Sequence, residues 1–143
     1  MNLEHIGKCV IIKFMPNKGE AGGFYDEENG RIYLNARLPL LEREVVYYHE
    51  LTHKEHCQSK CFCWKSDYWC ECHAMRGELQ RVIARKSKRL SRAYYQNERR
   101  AIKKYNADPK VWKVHIKAFN RLRKTKMYKR HKAIYETTVP PAD

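Results

Sequence analysis

Apolar positions along the chain follow two rhythms. Up to about residue 35 they come in short β-branched or aromatic runs: Lys8 to Phe14, Gly23-Phe24-Tyr25-Asp26, and Arg31-Ile32-Tyr33-Leu34-Asn35. Each reads as a strand. Pro16 to Gly23 is a turn-rich connection, and Asn29-Gly30 is a hairpin turn because both residues tolerate positive φ. A small antiparallel sheet of about three strands is expected. From Pro39 the rhythm changes to one apolar residue every three or four. Leu41, Val45, Val46 and Tyr48 predict a helix from Pro39 to about His56, with Pro39 in its first turn, where a missing N–H costs nothing. Ser66 or Asp67 can cap a second helix whose stripe is Met75, Leu79, Val82, Ile83 and Leu90. The stripe runs on through Tyr94, Ala101 and Tyr105, with a break near Ser87 to Ser91. Asp108-Pro109 restarts a last helix through Trp112, Ile116, Phe119 and Leu122 to about Tyr135, and Thr137 to Asp143 reads as a frayed tail.

The fold class is therefore α+β: a small antiparallel sheet packed on one central helix and further helices. No Gly/Ser or Pro-rich linker divides the chain. Residues 1–90 form the expected core and 91–143 a helical extension packed on it.

The first of these helices carries His49-Glu50-Leu51-Thr52-His53, an H-E-x-x-H motif. At 3.6 residues per turn, His49 and His53 stand one turn apart on one face. Two imidazoles so placed can grip one Zn2+ from a rigid element. Glu50 is offset by about a quarter-turn, where a carboxylate can take a proton from a metal-activated water without occupying the metal. The motif is short, and charged helices also produce it by accident. Its position on a partly buried helix favours a metal.

Two histidines do not complete a catalytic zinc site. His56 shares their face but lies about 10 Å along the axis from His49, too far to share one ion. Glu71, His73 and Glu78 on the next helix remain. Glu71 and His73 point about 160° apart, so only one can face the metal. Glu71 shares its face with the small Ala74, which would let two helices approach, and so leads on spacing. Tyr68, His73, Tyr94 and Tyr95 are unranked candidates for stabilising an oxyanion.

Composition adds a charge asymmetry. The 143 residues carry a formal net charge of +14, and 21 of the 30 Lys and Arg lie between Arg76 and Lys132, against Glu78, Glu98 and Asp108. Nucleic acid contacting residues 76–132, or an acidic protein surface, is one partner this raises; a solvated basic helical surface is the plain alternative. Cys9-Val10-Ile11-Ile12 is too short for a signal or membrane segment, nothing else is long and apolar, and a cytoplasmic protein without membrane contact is expected. Five of the six cysteines, Cys57, Cys61, Cys63, Cys70 and Cys72, fall within 16 residues. A second, structural zinc is one reading of them, but their spacing matches no standard zinc knuckle or ribbon, and reduced, packed thiols in a loop are the favoured one.

The stretch Gly22-Gly23-Phe24-Tyr25, Gly30-Arg31-Ile32-Tyr33-Leu34-Asn35, Arg43 to His53 and Glu71-Cys72-His73-Ala74 resembles the ImmA/IrrE-type zinc metallopeptidases. Their pattern is a glycine-led hairpin ending in I-x-L-N, a helix with H-E-L-x-H, then E-x-x-A on the following helix. The resemblance covers about residues 22 to 85. It implies His49, His53 and Glu71 on zinc, Glu50 as general base, and peptide-bond hydrolysis. It also implies a mobile-element or bacterial setting in which helix-turn-helix repressors are cleaved. The family usually has Gly where Thr52 stands, and its helix after the glutamate is more apolar than the one holding Arg76-Gly77-Glu78. The rival function is a basic nucleic-acid-binding protein whose zinc is structural or absent. Metal-dependent hydrolysis of a non-peptide substrate is a third.

Overall fold

The computed structural model describes residues 10–13, 22–58 and 66–138. Cys61, Cys63, most of the Pro16 to Gly23 connection and the last five residues of the tail lie outside them, as does the Cys57 side chain.

Three strands form one sheet: β1 (Val10–Lys13), β2 (Gly23–Asp26) and β3 (Arg31–Asn35), in the order β1-β3-β2. β2 and β3 make the expected antiparallel hairpin, with Gly23 opposite Leu34 and Asp26 opposite Arg31. The sheet is not antiparallel throughout. β1 runs parallel to β3, with Val10 opposite Ile32. The hairpin occupies one edge of β3, so β1 can join only at the other. β3 earns the central place because its Ile32 and Leu34 side chains are fully buried. The turn also differs from expectation. Residues 27–30 form a four-residue loop in which only Gly30 takes positive φ, at 64°. The Asp26 carboxylate holds it by accepting from the Glu28 N–H at 3.1 Å and the Asn29 amide at 2.7 Å.

Five helices follow: α1 (Leu40–Gln58), α2 (Asp67–Ala84), α3 (Lys88–Ala107), α4 (Lys113–Arg123) and α5 (Lys126–Thr138). The break in the long stripe falls where the serines stand, and the Ser87 hydroxyl caps α3 by accepting from the Leu90 N–H at 3.1 Å. Ser66 occupies the cap position of α2 without a side-chain capping bond. Asp108-Pro109 does not open α4. The Asp108 carbonyl and carboxylate accept from Trp112 and Val111 in a turn, and the helix begins at Lys113. The single last helix expected from the periodicity is two. Thr125 divides it: its hydroxyl donates to the Leu122 carbonyl at 2.7 Å and accepts from the Tyr128 N–H at 3.2 Å, ending one helix and capping the next.

α1 lies at the centre. The β2–β3 hairpin packs on one side of it and α2 and α3 on the other, with α4 laid against α2. The core runs from Ile32 and Leu34 through Val45 and Val46 to Leu79, Val82 and Leu90. Buried carboxylates on α1 tie down the basic helices. Glu42 accepts from Arg100 of α3 at 2.7 Å, and Glu44 accepts from Arg85 at 3.1 Å and from the Tyr48 hydroxyl at 2.8 Å. Removing one partner of such a buried pair leaves a stranded charge, so these contacts fix orientation more than they add stability. No helix among the described residues is long and apolar enough to cross a membrane.

α1 and α2 approach closely because α2 has a glycine at the crossing. A Cβ at Gly77 would stand 2.4 Å from the Thr52 hydroxyl, which is buried and donates to the Tyr48 carbonyl at 2.8 Å. Alanine at an ordinary helical position gains about 1 kcal/mol over glycine. Here the overlap reverses that gain. Gly77→Ala is expected to lower the urea-unfolding free energy by roughly 1–2 kcal/mol, and Thr52→Ala in the same chain to restore part of it. A more stable Gly77→Ala protein contradicts the close crossing.

Candidate metal centre

The crossing brings three side chains to one point. His49 Nε2 lies 3.1 Å from Glu71 Oε2, and His53 Nε2 lies 3.1 Å from Glu71 Oε1. One ligand atom from each of the three falls within 4.8 Å of the others. Glu71 is the residue on α2 that meets the motif. His73 points away to His56, and Glu78, a turn or two further on, faces the other nitrogen of His49 at 3.6 Å.

The donor set fits a divalent cation. Zinc binds imidazole nitrogen and carboxylate oxygen at about 2.0–2.2 Å, which places tetrahedral ligand atoms about 3.3–3.5 Å apart. The two 3.1 Å contacts go to different oxygens of Glu71, so placing one oxygen and both imidazoles on a single ion needs the carboxylate to turn within a cluster whose ligand atoms lie within 4.8 Å of one another. The electrostatics point the same way. Three carboxylates, those of Glu50, Glu71 and Glu78, converge on two imidazoles. Burial opposes the charge on Glu71, but His49 and His53 outweigh it and hold its carboxyl well below the usual range. Burial also opposes charge on His49, and here Glu71 and Glu78 win and raise it well above an ordinary histidine. Burial raises Glu50 and Glu78, with the neighbouring carboxylates adding to it. A cation at the centre would relieve the carboxylate repulsion that a half-buried pair of imidazoles balances only in part.

A cleft of about 810 Å³ reaches this cluster at His49, with neither His53 nor Glu71 in its lining. His49, Glu50, Glu78, Tyr105, His115 and, at the start of β2, Gly23 are among the residues that line it. Among the described residues β2 is an edge strand of the sheet, so its outer main-chain groups face away from β3. Glu50 is buried yet borders this space.

Sequence reasoning did not single out Tyr105 and His115. His115 Nε2 lies 3.5 Å from Glu71 Oε1, while its buried Nδ1 has no hydrogen-bond partner among the described residues. A bare acceptor is cheaper to leave unpaired than an N–H, so the proton belongs on Nε2, facing Glu71. Burial lowers the His115 pKa, which keeps the ring neutral. Tyr105 is buried beside it, ring centroids 6.0 Å apart, and burial raises its hydroxyl above the ordinary range. Tyr105 carried a signal only as one more apolar position in the stripe. His115 carried none, because it sits between lysines on a helix that begins later than expected.

Of the four residues considered for an oxyanion, Tyr94 borders the cleft. Tyr95 is bonded to His131 at 2.6 Å, Tyr68 lies under Lys117 and His73 meets His56. No family model, curated protein or solved structure matches the chain.

Glu78 bears on the cluster through His49. A carboxylate on the far nitrogen of a ligating histidine fixes the ring and its tautomer, and its loss usually costs 10–100-fold in metal affinity. Glu78→Gln is expected to weaken zinc binding by about that factor in a chelator competition, with Glu27→Gln in the exposed hairpin loop as the unchanged control. Equal affinity in Glu78→Gln and wild type contradicts this role.

Proposed function

We propose that the chain is a zinc-dependent metallopeptidase of the ImmA/IrrE type, in which His49, His53 and Glu71 hold the metal and Glu50 is the general base. The meeting of Glu71 with both motif histidines supports this reading most. Imidazoles and carboxylates also meet as plain ion pairs; what favours a metal here is that both motif histidines converge on one carboxylate across the helix crossing. The pairing of Thr52 with Gly77 adds to it. The resembled family usually has its small residue on the motif helix, whereas this chain has one on the facing helix, and either arrangement allows the close crossing.

Zinc, when bound there, supplies Lewis acidity and lowers the pKa of water. The chain's own residues do the rest. Glu50 takes a proton from the attacking water and returns it to the leaving amine, and burial brings its pKa closer to the working pH than an exposed carboxylate would have. Glu78 orients His49. The outer edge of β2 can receive an extended peptide by main-chain hydrogen bonds, so that it crosses the cleft beside Glu50. His115, 3.5 Å from Glu71, and Tyr105 beside it also line the cleft and are the side chains this reading assigns as donors to the developing oxyanion. A protein substrate follows, and the resemblance suggests a DNA-binding repressor. Glu50→Gln should retain zinc and lose cleavage by a factor of about 10² or more. The readout is new N-termini in a peptide library exposed to each protein. Equal cleavage by Glu50→Gln and wild type, or none by the zinc-loaded wild type, contradicts the proposal.

A second reading rests on a different surface. Trp69 is 43% exposed, with the Arg121 guanidinium 4.8 Å from its ring, and Lys117 lies 5.4 Å from the neighbouring Tyr68 ring. Among the described residues, no carboxylate lies within the 4.0 Å ion-pair distance of Lys113, Lys117 or Arg121, which share one face of α4. Exposed aromatics among unpaired cations suit nucleic acid, through phosphate contact and base stacking. On this reading the chain is a nucleic-acid-binding protein and its zinc is structural or absent. It expects a labelled oligonucleotide to bind with a steep salt dependence, and Lys117→Glu with Arg121→Glu to reduce the logarithmic salt slope by about 1.4–1.8. Unchanged binding by that variant contradicts it.

A further inference from the structure

The charges that line the cleft divide by sign. Its carboxylates are turned to other partners. Glu50 and Glu78 act on the motif histidines, Glu98 accepts from the Tyr128 hydroxyl, and Asp108 accepts from the Val111 N–H in the turn after α3. Among the described residues, four Lys and Arg side chains line the same space: Arg37, Arg100, Lys103 and Lys104. Arg100 is held by Glu42, and Arg37 and Lys103 are exposed.

Lys104 differs from the others in how it is seated. Its ammonium nitrogen lies 4.4 Å from the centre of the Trp112 ring and 5.8 Å from that of Tyr105. A cation over an aromatic face is attracted by the ring quadrupole. Lys104 stands in the last turn of α3, where the helix dipole also favours a cation, but the dipole asks for no ring beneath it. Two rings restrict a four-carbon side chain that would otherwise lose that freedom on binding, so the ammonium meets the cleft already oriented.

Lys104 is also close to the candidate metal centre. Trp112 meets His115 with ring centroids 5.1 Å apart, Tyr105 meets it at 6.0 Å, and His115 Nε2 lies 3.5 Å from Glu71 Oε1. An extended peptide of about five residues, at about 3.3 Å each, spans this path. The charge is felt there: burial lowers the His115 pKa most, Glu71 opposes it, and His49 and Lys104 add to the lowering.

We propose that Lys104 is a specificity-determining residue that receives a carboxylate of the peptide substrate, within about five residues of the cleaved bond. This inference rests on the peptidase reading and narrows its substrate to an acidic segment. Ammonium to carboxylate is a charge-assisted hydrogen bond, roughly twice as strong as a neutral one. The carboxylate belongs either to an acidic side chain or to the substrate's C-terminus, and the recognition chemistry is the same. Arg37 and Lys103 add potential of the same sign, which draws acidic peptides in and disfavours basic ones. Phosphate backbones also seek lysine. The aliphatic lining at Val46, Met75 and Leu122 suits peptide side chains better than bases.

Cleavage-site profiling tests it. The zinc-loaded full-length protein is exposed to a peptide library in two arms, one with free and one with amidated C-termini, and the new N-termini are sequenced. Wild type is expected to prefer Asp or Glu over Asn or Gln by about tenfold at one position near the cut. That preference in both arms assigns an acidic side chain, whereas cuts near the chain end in the free arm alone assign the C-terminus. Lys104→Gln should abolish the preference, Lys104→Glu should turn it toward Lys or Arg, and Lys104→Arg should keep it. A merely structural role would lower cutting in these variants without moving the preference. In wild type, added salt should weaken the preference, which needs no variant to fold. Cleavage by wild type without a carboxylate preference, or by Lys104→Gln with the preference intact, overturns the assignment and leaves the peptidase reading standing. No cleavage by the zinc-loaded wild type overturns both.

Discussion

A single carboxylate reaching across a helix crossing organises this molecule. Glu71 leaves α2 and places one oxygen 3.1 Å from each of the two imidazoles that α1 presents one turn apart. That reach is short, so the helices must cross closely, and small residues on α2 make this possible. Ala74 is fully buried one turn after Glu71, and Gly77 lies against Thr52 where no larger side chain fits. The buried Glu42 and Glu44 then hold Arg100 and Arg85, which seats the basic helices on the other side of α1. The cleft beside Glu50 is what remains between these elements.

Much of this was legible in the sequence because it depends on local spacing. The i, i+4 histidines, the exclusion of one of Glu71 and His73 by angle with the small Ala74 favouring Glu71, and the hairpin leading straight into α1 all follow from helix and strand periodicity. What periodicity does not encode is which edge of a strand a neighbour joins. β1 could have extended an antiparallel meander, and instead it pairs parallel with β3 because the hairpin had taken the other edge. Helix ends were misjudged where a polar side chain had two uses. Asp108 spends its acceptors on a turn, and the Thr125 hydroxyl serves the helices on both sides of it.

The basic half of the chain changes meaning once folded. In sequence it is a block of positive charge punctuated by apolar residues. In space α3 and α4 deliver Tyr105 and His115 to the cleft that Glu50 also lines, so one face of this region borders the cluster while another carries Lys117 and Arg121 over Tyr68 and Trp69. His115 shows why spacing alone missed it. Its relation to Glu71 spans 44 positions and depends on α4 lying against α2, which no local pattern announces.

Anomalous diffraction at the zinc edge, from crystals grown with zinc, addresses the central claim most directly. The account predicts a peak about 2.0–2.2 Å from His49 Nε2, His53 Nε2 and a carboxylate oxygen of Glu71. A map with no peak between these groups, and with Glu71 turned away from the imidazoles, would contradict it.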